Sequence, residues 1–296
     1  MALAAAGAMA FGGKAIIVKL AYRHGVDAVT LLMLRMLFAL PIFLLIAWWT
    51  TRPRRGVVPP ALSRADLWGI LGLGFTGYYL ASYLDFAGLA FISASLERLI
   101  LYLNPTLVLL LGLTLYGRPI GRRQTLGMAL SYGGVLLVFG HELTLAGQDV
   151  AWGALLVFLS AVSYAIYLSY SGELVQRLGS LRLVGLATSV ACFLCIAQYA
   201  VLRPLSTVWS VAPAVIWLSM LNAVLCTVVP VLLVMMAIER IGSSLTAQIG
   251  MLGPLSTIAL GVVLLGEPFS AWVVAGTVLV LAGVFVCSRS RAALSE

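Results

Sequence analysis

The feature that most restricts what this chain can fold into is an internal duplication. The stretch beginning at Ile92 recurs at Ile241: setting Pro105 on Pro254 (254 − 105 = 149) brings Ser95 onto Ser244, Leu96 onto Leu245 and Leu103 onto Leu252. The same offset carries Gly112 to Gly261, Leu115 to Leu264, Gly117 to Gly266, Pro119 to Pro268, Gly127 to Gly276 and Gly134 to Gly283, with no gap. It also places Trp217 on Trp68, one helix upstream. Each copy reads as two apolar helices joined by a Gly-x-Pro turn, so the chain is a duplicated unit whose halves pack on each other.

Composition says where the unit lives. The chain is 62% hydrophobic and only 9% charged, with mean hydropathy +1.09, far from the usage of water-soluble domains. Cutting it at polar punctuation gives ten spans of about 20 residues: 2–20, 28–49, 67–90, 93–116, 124–140, 150–171, 183–202, 214–238, 243–265 and 270–288. The first span is expected to be a helix of the unit and not a cleaved leader, because it lacks a basic start and its lysines, Lys14 and Lys19, come late. The net charge of +8 does not imply nucleic acid, since the cations are strung between spans and form no basic stripe.

Those cations orient the chain. Alternate loops hold Arg52, Arg54, Arg55 and Arg64, then Arg118, Arg122 and Arg123, then Arg177 and Arg182, then Arg240, then Arg289 and Arg291. The other loops hold little beyond Lys19, Arg23 and Arg203. The positive-inside rule therefore places both termini in the cytoplasm. Five helices per copy is an odd number, so the second copy crosses upside down. The expected fold is an all-α integral membrane protein of ten transmembrane helices, two inverted five-helix repeats (1–146 and 147–296) around a central cavity.

Several chemistries find no residues to carry them. Cys192 and Cys195 form a C-x-x-C inside an apolar span without a second pair, and are read as small packing residues. His24 and His141 both fall in expected outer loops, and no Walker-type phosphate loop is present. No cofactor, metal or nucleic-acid partner is expected; the partners are a small solute and membrane lipid, with the chain functional as a monomer.

The candidate substrate site draws on polar groups at mid-membrane depth. Pro105 and Pro254 lie near the middle of their spans and free the carbonyls of Leu101 and Gly250 from helical bonding. A freed acceptor in hydrocarbon must find a partner or face a cavity, and Asn104 and Gly253 beside the prolines favour a cavity. Tyr79, Tyr83 and Phe86 share one helix face, with Tyr78 adjacent, while Tyr102, Tyr164 and Tyr167 add further hydroxyl-bearing rings. Asn222 and Gln248 complete the set from the second half, or serve as hydrogen bonds between helices. Tyr79, Tyr83, Asn104, Tyr164 and Gln248 are expected to approach one cavity.

Charges are the sharper signal because each is costly in a bilayer. Lys14, Arg35, Asp85, Glu97 and Arg98 all fall in the outer halves of the first four spans, and position 97 + 149 is Thr246, so the second copy has no counterpart to Glu97. The functional reading is an outer ionic gate, with Lys14 the expected partner of Glu97 and Arg35 second; the alternative is a static salt bridge with snorkelling chains. Glu97 and Arg98, adjacent on a helix, point to different faces and are not expected to neutralise each other. Acidic groups are missing from the inner half of the core, so transport is not expected to require a proton gradient.

Gly12 to Lys19 followed by Arg35, Ser93 to Pro105 with Gly117-Arg118-Pro119 and Gly127, and Ser243 to Pro254 with Gly266-Glu267-Pro268 and Gly276 together resemble the EamA family of the drug/metabolite transporter superfamily along the whole chain. Size and aromatic content are similar to its bacterial aromatic amino-acid exporter branch. Arg118, where that pattern usually has Glu, is a departure, as is Phe11 in place of Trp. The resemblance implies export of amino acids, related metabolites or drugs. The leading expectation is an alternating-access exporter of small zwitterions and not an enzyme; the alternative is a broad exporter of drugs and amphipathic cations. A membrane enzyme would need a His, Asp or Ser constellation near an interface, and a mere scaffold would not explain the paired prolines and clustered charges.

Overall fold

The computed structural model describes residues 2–53, 60–117, 119–233, 236 and 252–292. Every regular element among them is helical. In chain order these are α1 (Ala2–Tyr22), α2 (Ala28–Thr51), α3 (Arg64–Leu73), α4 (Ala81–Leu89), α5 (Ala94–Leu101), α6 (Asn104–Tyr116), α7 (Arg122–Ala146), α8 (Gln148–Leu178), α9 (Ser180–Leu202), α10 (Pro213–Ala223), α11 (Leu252–Leu260) and α12 (Ala271–Ala292). Wider π turns continue α3 (Gly74–Leu80), α10 (Val224–Val228) and α11 (Gly261–Leu265), and a short 3-10 helix spans Leu205–Ser210.

Seven described helices are long and apolar enough to cross a membrane, and Gly253–Leu265 and Ala271–Cys287 are shorter apolar helices. The expected third span is one helical run through α3, its π turn and α4, but its glycines, tyrosines and aspartate dilute its apolar character. The expected eighth and ninth spans include residues outside those described. Apolar side chains face outward in bulk: Trp48, Trp49 and Trp68 are exposed near one end, and Trp152, Trp209 and Trp272 near the other. Tryptophans at both ends are the usual signature of a bilayer's two interfaces. His141, expected in a loop, instead lies within α7 and stacks on Trp272 at 5.7 Å.

The duplicated segments keep their symmetry in detail. Gly117 (φ +62°) and Gly266 (φ +72°) both end helices in the left-handed conformation, which costs glycine nothing, and each donates its N–H back into the last turn. The π turn at 74–80 maps by 149 onto 223–229, and a π turn is found there at 224–228. Helices α7 and α12 cross through their glycines. A Cβ at Gly127 would meet the carbonyl oxygen of Gly283 at 2.6 Å, and one at Gly134 that of Gly276 at 2.6 Å. As the number rises on one helix it falls on the other, so they run antiparallel. The offset turns one contact into the other, since 127 + 149 = 276 and 134 + 149 = 283; this is the self-complementary pattern of a two-fold contact. In lipid, where helices gain little from hiding apolar surface from each other, close packing through small residues holds them together.

Candidate functional site

Two layers of polar groups lie one above the other beneath the end of the bundle that carries Ser93. The outermost is built on the N-terminus of α5. Ser93 caps it by accepting from Leu96 N at 3.0 Å, as serine commonly does. The next orphan N–H groups go to carboxylates from far along the chain. Glu267, just past the Gly266 turn, accepts from Ala94 N at 2.7 Å, Ser95 N at 3.3 Å and Ser95 Oγ at 2.8 Å. Glu142, near the end of α7, accepts from Ser93 N at 3.2 Å and from Ser93 Oγ. Negative charge at a helix N-terminus is favoured by the aligned peptide dipoles.

Cations of α1 complete the layer. Lys19 Nζ donates to Ile92 O at 2.6 Å and Arg23 Nη2 to Leu265 O at 2.7 Å. Tyr22 Oη donates to Phe86 O at 2.6 Å. The ends of α1, α4, α5, α7 and the Gly266 turn are thus tied together, first copy to second. Gly117 closes the far end of α6, so the two Gly-x-Pro turns lie at opposite ends of the bundle.

Sequence reasoning missed Glu142 and Glu267, since neither sits in an apolar run where a charge attracts notice. Their signal was the Ser93 N-cap, whose first N–H groups needed acceptors.

Below lies the charged cluster. Lys14 Nζ is 2.5 Å from Asp85 Oδ2 and 3.4 Å from Glu97 Oε1. Lys14 does reach Glu97, but its shorter contact is with Asp85. Arg98 Nε lies 3.7 Å from Glu97 Oε2, so the neighbours expected to ignore each other do interact; the long side chain bends back although its Cβ points elsewhere. That contact is too long for a hydrogen bond, and Arg98 Nη2 goes instead to Phe11 O at 3.3 Å. Glu97 is 0% exposed, Asp85 2%, Arg98 3% and Lys14 6%. Asp85 Oδ1 and both Glu97 oxygens have no hydrogen-bond partner.

Arg35 makes no ion pair with Glu97, the second partner expected for that carboxylate: its Nε donates to Thr227 Oγ1 at 3.0 Å.

At Pro105 the freed carbonyl finds a side-chain partner. The helix breaks before Pro105, between α5 and α6, but the carbonyl of Leu101 is not left for a ligand: Asn104 Nδ2 donates to it at 2.7 Å. The amide side chain replaces the N–H that proline lacks. Pro254 stands in the first turn of α11 as described, and Gly250 and Gln248 lie outside the described residues. The two proline regions do meet, because a Cβ at Gly253 would lie 3.2 Å from Tyr102 Oη.

The tyrosines divide among three packing clusters. Tyr78 exchanges a hydrogen bond with Tyr167 (Oη to Oη 3.2 Å), and Tyr164 stacks on Tyr167 at 5.4 Å. Tyr79 and Tyr83 pack with Phe86 in another cluster, and Tyr102 in a third. Tyr83 shares α4 with Asp85. Asn222, on α10, is 1% exposed, and neither atom of its amide has a partner. Cys192 and Cys195 are buried free thiols, Cys192 Sγ lying 3.7 Å from Met36 Sδ.

This polar interior in an apolar helical body agrees with what the chain resembles. The EamA-like transporter family matches it over residues 1–140 and again over 151–289. An uncharacterized transporter of Bacillus subtilis, YcbK, is 32% identical over 271 residues, covering 88% of this chain and 83% of that protein. A second from the same organism, YetK, is 23% identical over 230 residues, covering 77% and 69%. A crystal structure matches with TM-score 0.65 and 16% identity over 99% of this chain and 98% of that one, which speaks to the fold alone. With a transporter family covering both copies and a relative of this identity and coverage, the chain is a multi-pass membrane protein belonging to the EamA-like transporter family.

Proposed function

We propose that the protein exports amino acids and related small metabolites by alternating access, with ten helices in two inverted halves. The observation that carries this reading is the layered end of the bundle: a latch joining the first copy to the second above a buried, incompletely paired set of charges. Buried charges in a membrane protein are retained where they serve a pathway, and a seal made of a few hydrogen bonds between copies is one that opens without unfolding either copy. The exchanged glycine contacts of α7 and α12 support the inverted relation of the halves. Counting arginines in alternate loops makes the latched end external and the termini cytoplasmic, so the described state is closed to the outside. Lys14, Asp85, Glu97 and Arg98 act beneath the latch as a gate.

The alternative, a broad exporter of amphipathic cations, would want an acidic site. Asp85 and Glu97 are acidic, but Lys14 and Arg98 already stand against them. Uptake of labelled amino acids into proteoliposomes holding the purified chain tests the choice. Saturable amino-acid flux is expected; flux of hydrophobic cations with none of amino acids would reject it.

A further inference from the structure

Arg35 is a buried cation without an anion. It is 5% exposed, and among the described residues it joins no ion pair. Its guanidinium is nevertheless held in place: Nε donates to Thr227 Oγ1 at 3.0 Å, and the central carbon lies 5.2 Å from the centroid of the Phe86 ring. Thr227 is itself fixed, donating to Asn222 O at 3.1 Å across the π turn. With Nε bonded and one face toward an aromatic ring, the group is oriented, and its buried Nη1 has no partner. A separate observation comes from the residue before that turn's first helix end: Asn222 is 1% exposed and neither its donor nor its acceptor is used. α10 packs on α1 and α2, so both unsatisfied side chains belong to adjoining helices.

Unmet polar groups on neighbouring helices disfavour the empty site, and a ligand that supplies their partners removes that cost. A guanidinium with a free edge is matched by a planar carboxylate. Charge narrows the choice: Lys14, Arg35 and Arg98 against Asp85 and Glu97 give 3 − 2 = +1 for the buried set. The carboxylate of a simple acid neutralises that excess and a zwitterionic amino acid leaves it unchanged, whereas a dianionic phosphate would reverse it. Asp85 Oδ1, which has neither a hydrogen bond nor an ion-pair contact, is an acceptor suited to a solute's ammonium group.

Resting on the transport reading above, we propose that Arg35 is the anchor for the carboxylate of the transported solute, oriented by Thr227 and the Phe86 ring, and not a member of the ionic gate. The solute class is small monocarboxylates, α-amino acids among them.

The test uses the full chain in proteoliposomes. Each of the twenty proteinogenic amino acids is offered in labelled form; for the one moved fastest, its carboxamide and its des-amino acid are compared. The parent is expected to prefer acid over carboxamide by roughly tenfold or more in kcat/KM, the usual worth of a hydrogen bond to a charged group. Arg35→Gln should abolish that preference and Thr227→Val, which keeps the charge and the shape, should narrow it. A folded Arg35→Gln protein that keeps the parent's preference overturns the anchor while leaving amino-acid transport standing. Should Arg35→Gln fail to fold, an unchanged ratio in Thr227→Val does the same. Des-amino acids moved with Arg35 dependence when no amino acid moves would overturn the amino-acid reading and keep the anchor. Flux of none of these carboxylates overturns both.

Discussion

Lys14 answers two carboxylates at once, 2.5 Å from Asp85 and 3.4 Å from Glu97, and that makes it the most sensitive charge in the protein. Removing one partner of a buried pair costs about 3–5 kcal/mol, because the remaining charge is left in low dielectric. Lys14→Met should therefore lower the melting temperature in detergent markedly, and Asp85→Asn added to it should recover most of the loss. An unchanged melting point in the single variant would mean water already solvates the carboxylates. Asp27 offers a pH-dependent counterpart in the loop before α2. Burial works to raise its carboxyl, but the Thr30 hydroxyl and Arg203, 3.2 Å away, outweigh it and hold the group below its ordinary value of 3.8. A depressed carboxyl stabilises the fold above its unfolded value and loses that contribution as pH falls through the folded one. Asp27→Asn keeps a helix cap but not the charge, so stability below about pH 4 should become less acid-sensitive than in the parent; identical acid titrations would show the pair to be silent. The sequence flagged residues 14, 35, 85, 97 and 98 because a charge in an apolar run is conspicuous. It did not say that Lys14 lies closer to Asp85, or that Arg35 turns to Thr227, because partners are chosen by side-chain reach across helices.

At the scale of elements, the repeat matches Gly127 and Gly134 of α7 with Gly276 and Gly283 of α12, and their meeting each other is what the packing added. A Cβ at Gly134 would come within 2.6 Å of Gly276 O and 2.9 Å of Leu279 Cβ, whereas one at Gly133 would meet nothing within 4 Å. Gly134→Ala is thus expected to destabilise by about 1–3 kcal/mol through overpacking, while Gly133→Ala should be neutral or slightly stabilising from its better helix propensity. Comparing the two melting points checks this, and equal effects would place the contact elsewhere. The break at Pro105 shows the limit of element-level reading. Proline announces a lost bond, but that Asn104 supplies a substitute donor to Leu101 O depends on a rotamer, which no spacing rule encodes.

For the whole molecule, the latch at Ser93 has an asymmetry that the repeat exposes. Adding or subtracting 149 takes Glu267 to Arg118 and Glu142 to Arg291. The acceptors that cap α5 at one end are replaced, at the matching positions of the other copy, by arginines, which have nothing to accept an N–H with. The latched closure is therefore expected to be the resting one. Glu267→Gln weakens its charge-assisted bonds, and labelling from the latched side of a cysteine placed at Tyr83, half-buried on α4 near Asp85, should rise several-fold. The native cysteines are all buried. Labelling at the parental rate would mean that Glu267 is only a helix cap.

Periodicity and solvent set what could be read from the chain alone: apolar runs long enough for a bilayer, and a gapless repeat that carried its Gly-x-Pro turns and matched glycines with it. Those are properties of one chain segment in a given medium, and they need no neighbours to be legible. What only the tertiary structure decided was convergence. The tyrosines fall into three packing clusters, Glu142 and Glu267 came together on one helix end from positions 49 and 173 residues away, and Arg35 has no carboxylate partner among the described residues. Each depends on how helices rotate and cross, and a rotation of tens of degrees moves a side chain from one neighbour to the next without changing any local pattern.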